Sequence, residues 1–343
     1  MCGIVGYIGQ NQSARDLVMN GLTRLEYRGY DSAGISIKSK DGFKIIKTVG
    51  GVDNLYDALP EDLENGNIAI GHTRWATHGA PSQVNAHPHL SMHGTISLVH
   101  NGIIENYQTL KTQLIKEGYV FKSDTDTEVL VNWIEFHYNK NYAEHENDLS
   151  NAIRLALKDV VGAYAILVSE THYDQMVAVR KSSPLCIGIG DDEYIIASDA
   201  SPIIEYTRDI IYLEDDQMAI MSLSGGLAKN PDIHILDIEN ELVELDVERV
   251  DMELDAIEKG GYDTFMLKEI NEQPTSIENC LRGRLTTGGD ALMMGGVENV
   301  MPKLLRAQKI FIIACGTSWH AALIGKTIIE TLCRIPVEVD YAS

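Results

Sequence analysis

Positive charge is scarce in this 343-residue chain, where 28 Lys and Arg face 50 Asp and Glu for a formal net charge of −22. Such an acidic surface repels phosphate backbones and anionic lipid, so neither nucleic acid nor a membrane surface is an expected partner. Long apolar runs are missing as well. No stretch approaches the ~20 residues that a bilayer-spanning helix needs, and the opening MCGIVGYIGQ lacks the basic start and full apolar stretch of a secretory signal. The expected location is therefore the cytoplasm. Cysteine is sparse: five residues, an odd number, with no CxxC pair, which argues against a disulfide framework. Cys186 (PLCIGIG) and Cys315 (IIACGTS) sit in apolar runs that read as buried strands, and four of the five cysteines read as reduced packing residues. No internal repeat or low-complexity tract is found.

Against these absences stands an ordinary globular composition, 44% hydrophobic and 23% charged, with length enough for two domains. Apolar runs bounded by glycine or polar loops read as strands: GIVGYIG, AGISIK, FKIIKTV, NIAIGHTRWATHG and TISLVHNG. The Asp41-Gly42 pair between the second and third of these is a hairpin signal. Ser13 is placed to cap a helix carrying Leu17, Val18, Leu22 and Leu25, with Gly29 at its exit. Further helices are predicted through Leu110 and Leu114 to Gly118, and from SDTDTEV onward through Trp133 and Phe136. A second run of strands follows. Helices clustered between groups of strands predict an α+β layered fold.

An acidic stretch, residues 237–261, is the expected linker between a first domain over 1–236 and a second over 262–343. The second contains KIFIIACGTSWHAALIGKTIIETLC and IPVEVDYAS, which read as strand, Gly-Thr-Ser turn, helix and next strand of a parallel α/β sheet. One such unit does not cover both faces of its sheet, so this domain is expected to be truncated.

The chemistry centres on Cys2. Removal of Met1, favoured when the second residue is small, would leave a thiol and an α-amine on one residue. That amine, with an unperturbed pKa of roughly 7.7–8.0, is a suitable base for its own thiol. Attack on an amide requires an oxyanion hole, and HNG offers the Asn101 side-chain amide and the Gly102 N–H. Arg74 supplies a fork for a carboxylate, and Asp126 can hold an ammonium; a simple helix-start acid is the plainer reading of Asp126. His72, His78, His87 and His89 invite a zinc reading, but the spacing lacks the paired ligands of structural sites and a helical HExxH. No metal and no cofactor is expected.

Together, CGIVGYIG, LEYRGYDSAG, HTRWATHG, NAHPH, VHNGIIEN and SDTDTEV resemble the class II glutamine amidotransferases. The resemblance implies the N-terminal-nucleophile (Ntn) hydrolase fold, a four-layer αββα arrangement of two stacked sheets between helices, and L-glutamine as substrate. It implies an oxyanion hole at Asn101 and Gly102, with Arg74, Asp126, Thr77 and His78 in the glutamine pocket. Arg28 is implied to lie beside the nucleophile, and Trp75 to be a channel gate.

In the second domain, KEINEQP and ACGTSWHA resemble the isomerising branch of that family, the glutamine–fructose-6-phosphate aminotransferases, with their sugar isomerase (SIS) domains. This implies a phosphate-binding turn at Gly316, Thr317 and Ser318, fructose 6-phosphate as ammonia acceptor in the full-length enzyme, and a homodimer at full length. The isomerising machinery is expected beyond Ser343. Asparagine synthetases and purine amidophosphoribosyltransferases fit less well. SLSGGLAK lacks the residues of an ATP-pyrophosphatase loop, and no acidic phosphoribosyl-diphosphate loop is seen. A different class of reading is a sugar-phosphate-sensing or regulatory module that no longer synthesises.

Overall fold

The computed structural model describes residues 2–11, 13–75, 79–140, 148–223, 232–244, 246–250, 261–281, 284 and 300–342. The chain divides into two compact units, Met1–Asp263 and Thr264–Ser343.

In the first unit the order begins β1 (Gly3–Gly9), α1 (Ala14–Leu25), a 3-10 turn (Glu26–Arg28), β2 (Ser32–Ser39), β3 (Gly42–Val49), α2 (Val52–Ala58) and β4 (Ile68–Arg74). It continues with β5 (His89–Leu90), β6 (Ile96–Ile104), α3 (Tyr107–Lys116), α4 (Asp126–Lys140) and α5 (Leu149–Lys158). Then come β7 (Gly162–Glu170), β8 (Gln175–Lys181), β9 (Cys186–Gly190), β10 (Glu193–Ala197), β11 (Asp209–Tyr212), β12 (Gln217–Ser222), β13 (Asp232–Asp237) and β14 (Glu248–Arg249).

Among the described residues these strands form two antiparallel sheets, ordered β14-β11-β9-β10-β1-β4-β2-β3 and β13-β12-β8-β7-β6-β5. The side-chain period of two sorts β1 between two cores. Ile4 and Ile8 join Val99, Leu167 and Ala178 of the other sheet, whereas Val5 and Tyr7 join Val18 and Leu22 of α1. The far face of the second sheet packs on α3, α4 and α5 through Leu114, Ile134 and Ile153. Helix, sheet, sheet, helix is the four-layer αββα fold expected.

Local signals behave as chemistry dictates. Ser13 caps α1 by accepting the Asp16 N–H, and Ser39 to Gly42 turn the β2–β3 hairpin. Gly29 leaves the 3-10 turn extended, and its role is closeness: a Cβ there would meet the Arg74 carbonyl carbon at 2.8 Å. Two helices go beyond the three expected. α5 carries Leu149, Ala152, Ile153, Ala156 and Leu157 on one buried face, and α2 buries Val52 and Leu55. Within the expected linker, Glu248–Arg249 pairs with β11, while residues 251–260 lie outside the described residues.

The second unit contains α6 (Phe265–Leu281), α7 (Met301–Leu304), β15 (Ile310–Ala314), α8 (Gly316–Cys333) and β16 (Val337–Tyr341). β15 and β16 run parallel, Ile310 beside Val337 and Ala314 beside Tyr341, with α8 as their crossover. Here the expectation about cysteine needs correction. Cys186 is buried, but Cys280, Cys315 and Cys333 are exposed. An apolar strand is buried only where both faces are covered, and among the described residues this sheet has two strands.

Candidate active site

β1 and β4 are antiparallel neighbours, with Gly3 opposite Thr73. The start of one strand therefore lies beside the end of the other, and this brings Cys2 to Trp75. The half-buried Cys2 Sγ accepts the Trp75 backbone N–H at 3.2 Å and faces the Trp75 carbonyl at 3.5 Å. Burial pushes the Cys2 thiol up from its ordinary value; the Trp75 N–H, the positive chain terminus, Arg74 and Arg28 oppose that shift. With Met1 in place the net direction favours the protonated thiol.

β6 crosses from the facing sheet and places Asn101 beside Cys2. Its Nδ2 donates to the Cys2 carbonyl oxygen at 3.0 Å, and its Oδ1 lies 2.9 Å from His72 Nε2. Gly102 follows with φ +131°, where a Cβ would come 2.0 Å from the Ala163 carbonyl oxygen. Only glycine fits that backbone.

Arg74 closes β4 and is buried, with Nη2 donating to the Gly79 carbonyl at 3.0 Å. Burial pulls its pKa down, while Cys2, then Asp126 and Asp31, act against that; the same cation thus lies in the field of Cys2 and of Asp126. Asp126 opens α4, is buried, and accepts the Ile104 N–H at 2.8 Å. Its helix start is held by Thr125, which accepts the Glu128 N–H at 3.2 Å, while the Glu128 carboxylate accepts from Ser123 N at 2.6 Å. Trp75 is 44% exposed and sits edge-on to Tyr30, centroids 5.3 Å apart. Arg28 pairs with Asp199 at 3.2 Å and donates to the Ser198 carbonyl at 3.2 Å. Thr77 and His78 lie outside the described residues.

His72, His87, His89 and His100 are buried. Burial pushes His72 down to about 3, His87 and His89 well below the imidazole range, and His100 lower too. The rings are occupied with protein partners: His72 stacks on His87 at 4.2 Å, His89 meets Thr125 Oγ1 at 3.1 Å and His100 meets Thr127 Oγ1 at 3.0 Å. Among the described residues no group of three or more His, Cys, Asp or Glu is arranged to hold a metal ion.

In the second unit, Gly316, Thr317 and Ser318 form the exposed first turn of α8 directly after β15. Gly316 has φ +58° with open space around its Cβ direction.

Sequence reasoning missed two features here. Ser198 accepts the Ile4 N–H at 3.0 Å, and Asp199 anchors Arg28; ASDAS lies almost two hundred residues from Cys2, and nothing local signals the pairing. His100 was read as part of HNG without a role of its own.

A family model described as "Glutamine amidotransferase domain" matches residues 60–240, more than half the chain, and the protein belongs to that family. The chain is 49% identical over 345 residues to a protein of Bacteroides thetaiotaomicron, covering 100% of this chain and 54% of the relative. It is 48% identical to one of Chlorobaculum tepidum, covering 100% and 55%. Both relatives are named glutamine–fructose-6-phosphate aminotransferase [isomerizing]; the chain spans about half their length. Among solved structures, the allosteric regulatory enzyme of purine biosynthesis matches with TM-score 0.54 and 28% identity over 74% of this chain and 50% of that one. The B. subtilis glutamine phosphoribosylpyrophosphate amidotransferase matches with TM-score 0.56 over 98% and 65%, a likeness of fold alone at 22% identity. No helix among the described residues is long and apolar enough to cross a membrane.

Proposed function

We propose that this chain is the glutamine-hydrolysing part of a cytoplasmic, isomerising glutamine–fructose-6-phosphate aminotransferase. One observation carries the reading: the Cys2 sulfur, the Asn101 amide and the Arg74 cation meet where two neighbouring strands begin and end. Met1 precedes Cys2 in the sequence, and its removal is part of the proposal. The freed amine takes the thiol proton, and the sulfur attacks the side-chain carbonyl carbon of L-glutamine. The resulting oxyanion is stabilised by Asn101 Nδ2–H and Gly102 N–H. The ammonium form of the amine returns its proton to the leaving nitrogen, releasing ammonia and leaving a γ-glutamyl thioester. Water, deprotonated by the same amine, then attacks the thioester and releases glutamate. Arg74 holds the substrate α-carboxylate and Asp126 its α-ammonium.

In the longer protein the ammonia passes by Trp75 to fructose 6-phosphate and yields glucosamine 6-phosphate. Residues 262–343 are then the opening of an SIS domain, with Gly316, Thr317 and Ser318 at the sugar phosphate. The test is glutamate release by the trimmed chain and by its Cys2→Ala form. The variant should fall by at least about a thousandfold; full activity in Cys2→Ala overturns the proposal. Calorimetry with fructose 6-phosphate separates the sensor alternative, which requires tight binding by this chain alone.

A further inference from the structure

An oxyanion hole built on a side-chain amide has a weakness that a backbone N–H lacks. The amide can turn over and present its oxygen, and a lone pair facing an oxyanion repels it. Something must fix which end points at the substrate.

The hydrogen bonds around Asn101 determine its orientation. A peptide carbonyl only accepts, so the end of the Asn101 amide that lies 3.0 Å from the Cys2 carbonyl must be the NH2. The amide oxygen then faces His72 Nε2 at 2.9 Å. That oxygen only accepts, so Nε2 must carry the ring proton. His72 is 1% exposed and cannot swing aside, because its ring is stacked on His87 at 4.2 Å with 25° between planes. His87 is fixed in turn: its Nδ1 accepts the His100 backbone N–H at 3.3 Å, and His100 is the residue before Asn101 on β6. The contacts form a closed circuit from β4 through the His87 loop to β6 and back. Burial pushes His72 down to about 3, so its ring stays neutral at working pH and keeps a single donor.

We propose that His72 is a positioning residue. It donates Nε2–H to Asn101 Oδ1 and so locks the amide, leaving the second Nδ2 hydrogen for the oxyanion formed at Cys2. The inference rests on the oxyanion-hole reading above. It assigns the first His of HTRWATHG a part in the chemistry without contact with substrate.

The test compares amide side chains on the full chain. In His72→Gln the amide nitrogen falls near the place of Nε2; in His72→Asn it falls near that of Nδ1. Both are polar and uncharged, and because Asn is a methylene shorter, His72→Leu, close to Gln in size, is the control that separates loss of the donor from a general packing loss. His72→Gln should keep kcat for glutamine hydrolysis within about fivefold of the parent, and His72→Asn and His72→Leu should lose roughly 10- to 100-fold with KM little changed. The double variant His72→Leu with Asn101→Ala should be no slower than Asn101→Ala alone, since the lock acts only through that amide. Equal activity of the Gln and Asn variants, or additive losses in the double variant, overturns the inference. An impaired Asn101→Ala beside an unimpaired His72→Leu overturns the inference alone. Full activity in Asn101→Ala overturns the oxyanion reading, and this inference with it.

Discussion

β1 and β15 make an instructive pair. GIVGYIG is buried at every position, whereas IFIIA, the more apolar run, leaves Phe311 60% and Ile313 56% exposed. β1 lies between β4 and β10 with α1 over one face and a second sheet over the other. β15 has one neighbour strand among the described residues. Burial is thus set by what lies on each side of a strand, and apolar content alone does not decide it. The same contrast separates the two candidate sites. The Cys2 edge is surrounded by partners that fix each group, while the Gly316 turn opens to solvent.

That comparison can be tested, first at its glycines. Gly102→Ala should lower glutamine hydrolysis by roughly a thousandfold, since both the φ and the backbone contact resist a side chain at the N–H proposed for the oxyanion. Gly316→Ala should leave hydrolysis within about twofold and cost about 1–2 kcal/mol locally. Steady-state assays beside denaturant melts distinguish the pair. Core substitutions come next. Ile4→Ala, at 0% exposure between the sheets, should destabilise the first unit by about 2–5 kcal/mol, and Phe311→Ala should stay within about 0.5 kcal/mol. Equal losses at the two positions would show that β15 is covered in solution.

Acid gives a further contrast. The folded first unit holds His72 neutral down to about 3, whereas an unfolded imidazole titrates near 6.5. Between those values the unfolded chain binds more protons, so stability rises with pH and is lost as pH falls below about 6.5. Each such histidine contributes up to about 1.4 kcal/mol per pH unit; His87, His89 and His100 shift the same way. The denaturant midpoint of the first unit should drop between pH 7 and pH 5, and His72→Gln should flatten the slope. The described part of the second unit has no buried histidine, and hydrogen exchange in α8 and β16 should not follow that trend. A smaller effect than at Ile4 is expected at Tyr30→Ala, which removes the edge contact to Trp75 at a cost of about 0.5–1.5 kcal/mol.

Much of this molecule could be read from residue order. Apolar runs bounded by glycine or polar loops marked β1, β2 and β3, Ser13 marked the start of α1, and SDTDTEV marked that of α4. The four-layer stacking came from a family resemblance rather than from periodicity. Cys2, Asn101 and Arg74 stood out only together with the motifs around them; singly, Cys2 reads as a small buried residue and Asn101-Gly102 as a plain turn. Other residues were silent for physical reasons. Ser198 and Asp199 act across a sheet, where sequence distance carries no information about contact. α5 shows the 3.6-residue spacing of Leu149, Ile153 and Leu157, but its neighbourhood is rich in strands. Cys315 was misread because an apolar strand predicts burial only once its neighbours are known.

The central claim is that a terminal sulfur, freed of Met1, performs the cleavage. Treating the active protein with 6-diazo-5-oxo-L-norleucine and mapping its peptides by mass tests this directly. The expected product is an N-terminal peptide that begins at Cys2, carries one adduct on that residue, and appears in step with the loss of glutamate release. An adduct elsewhere, or Met1 still attached in the fraction that hydrolyses glutamine, would contradict it.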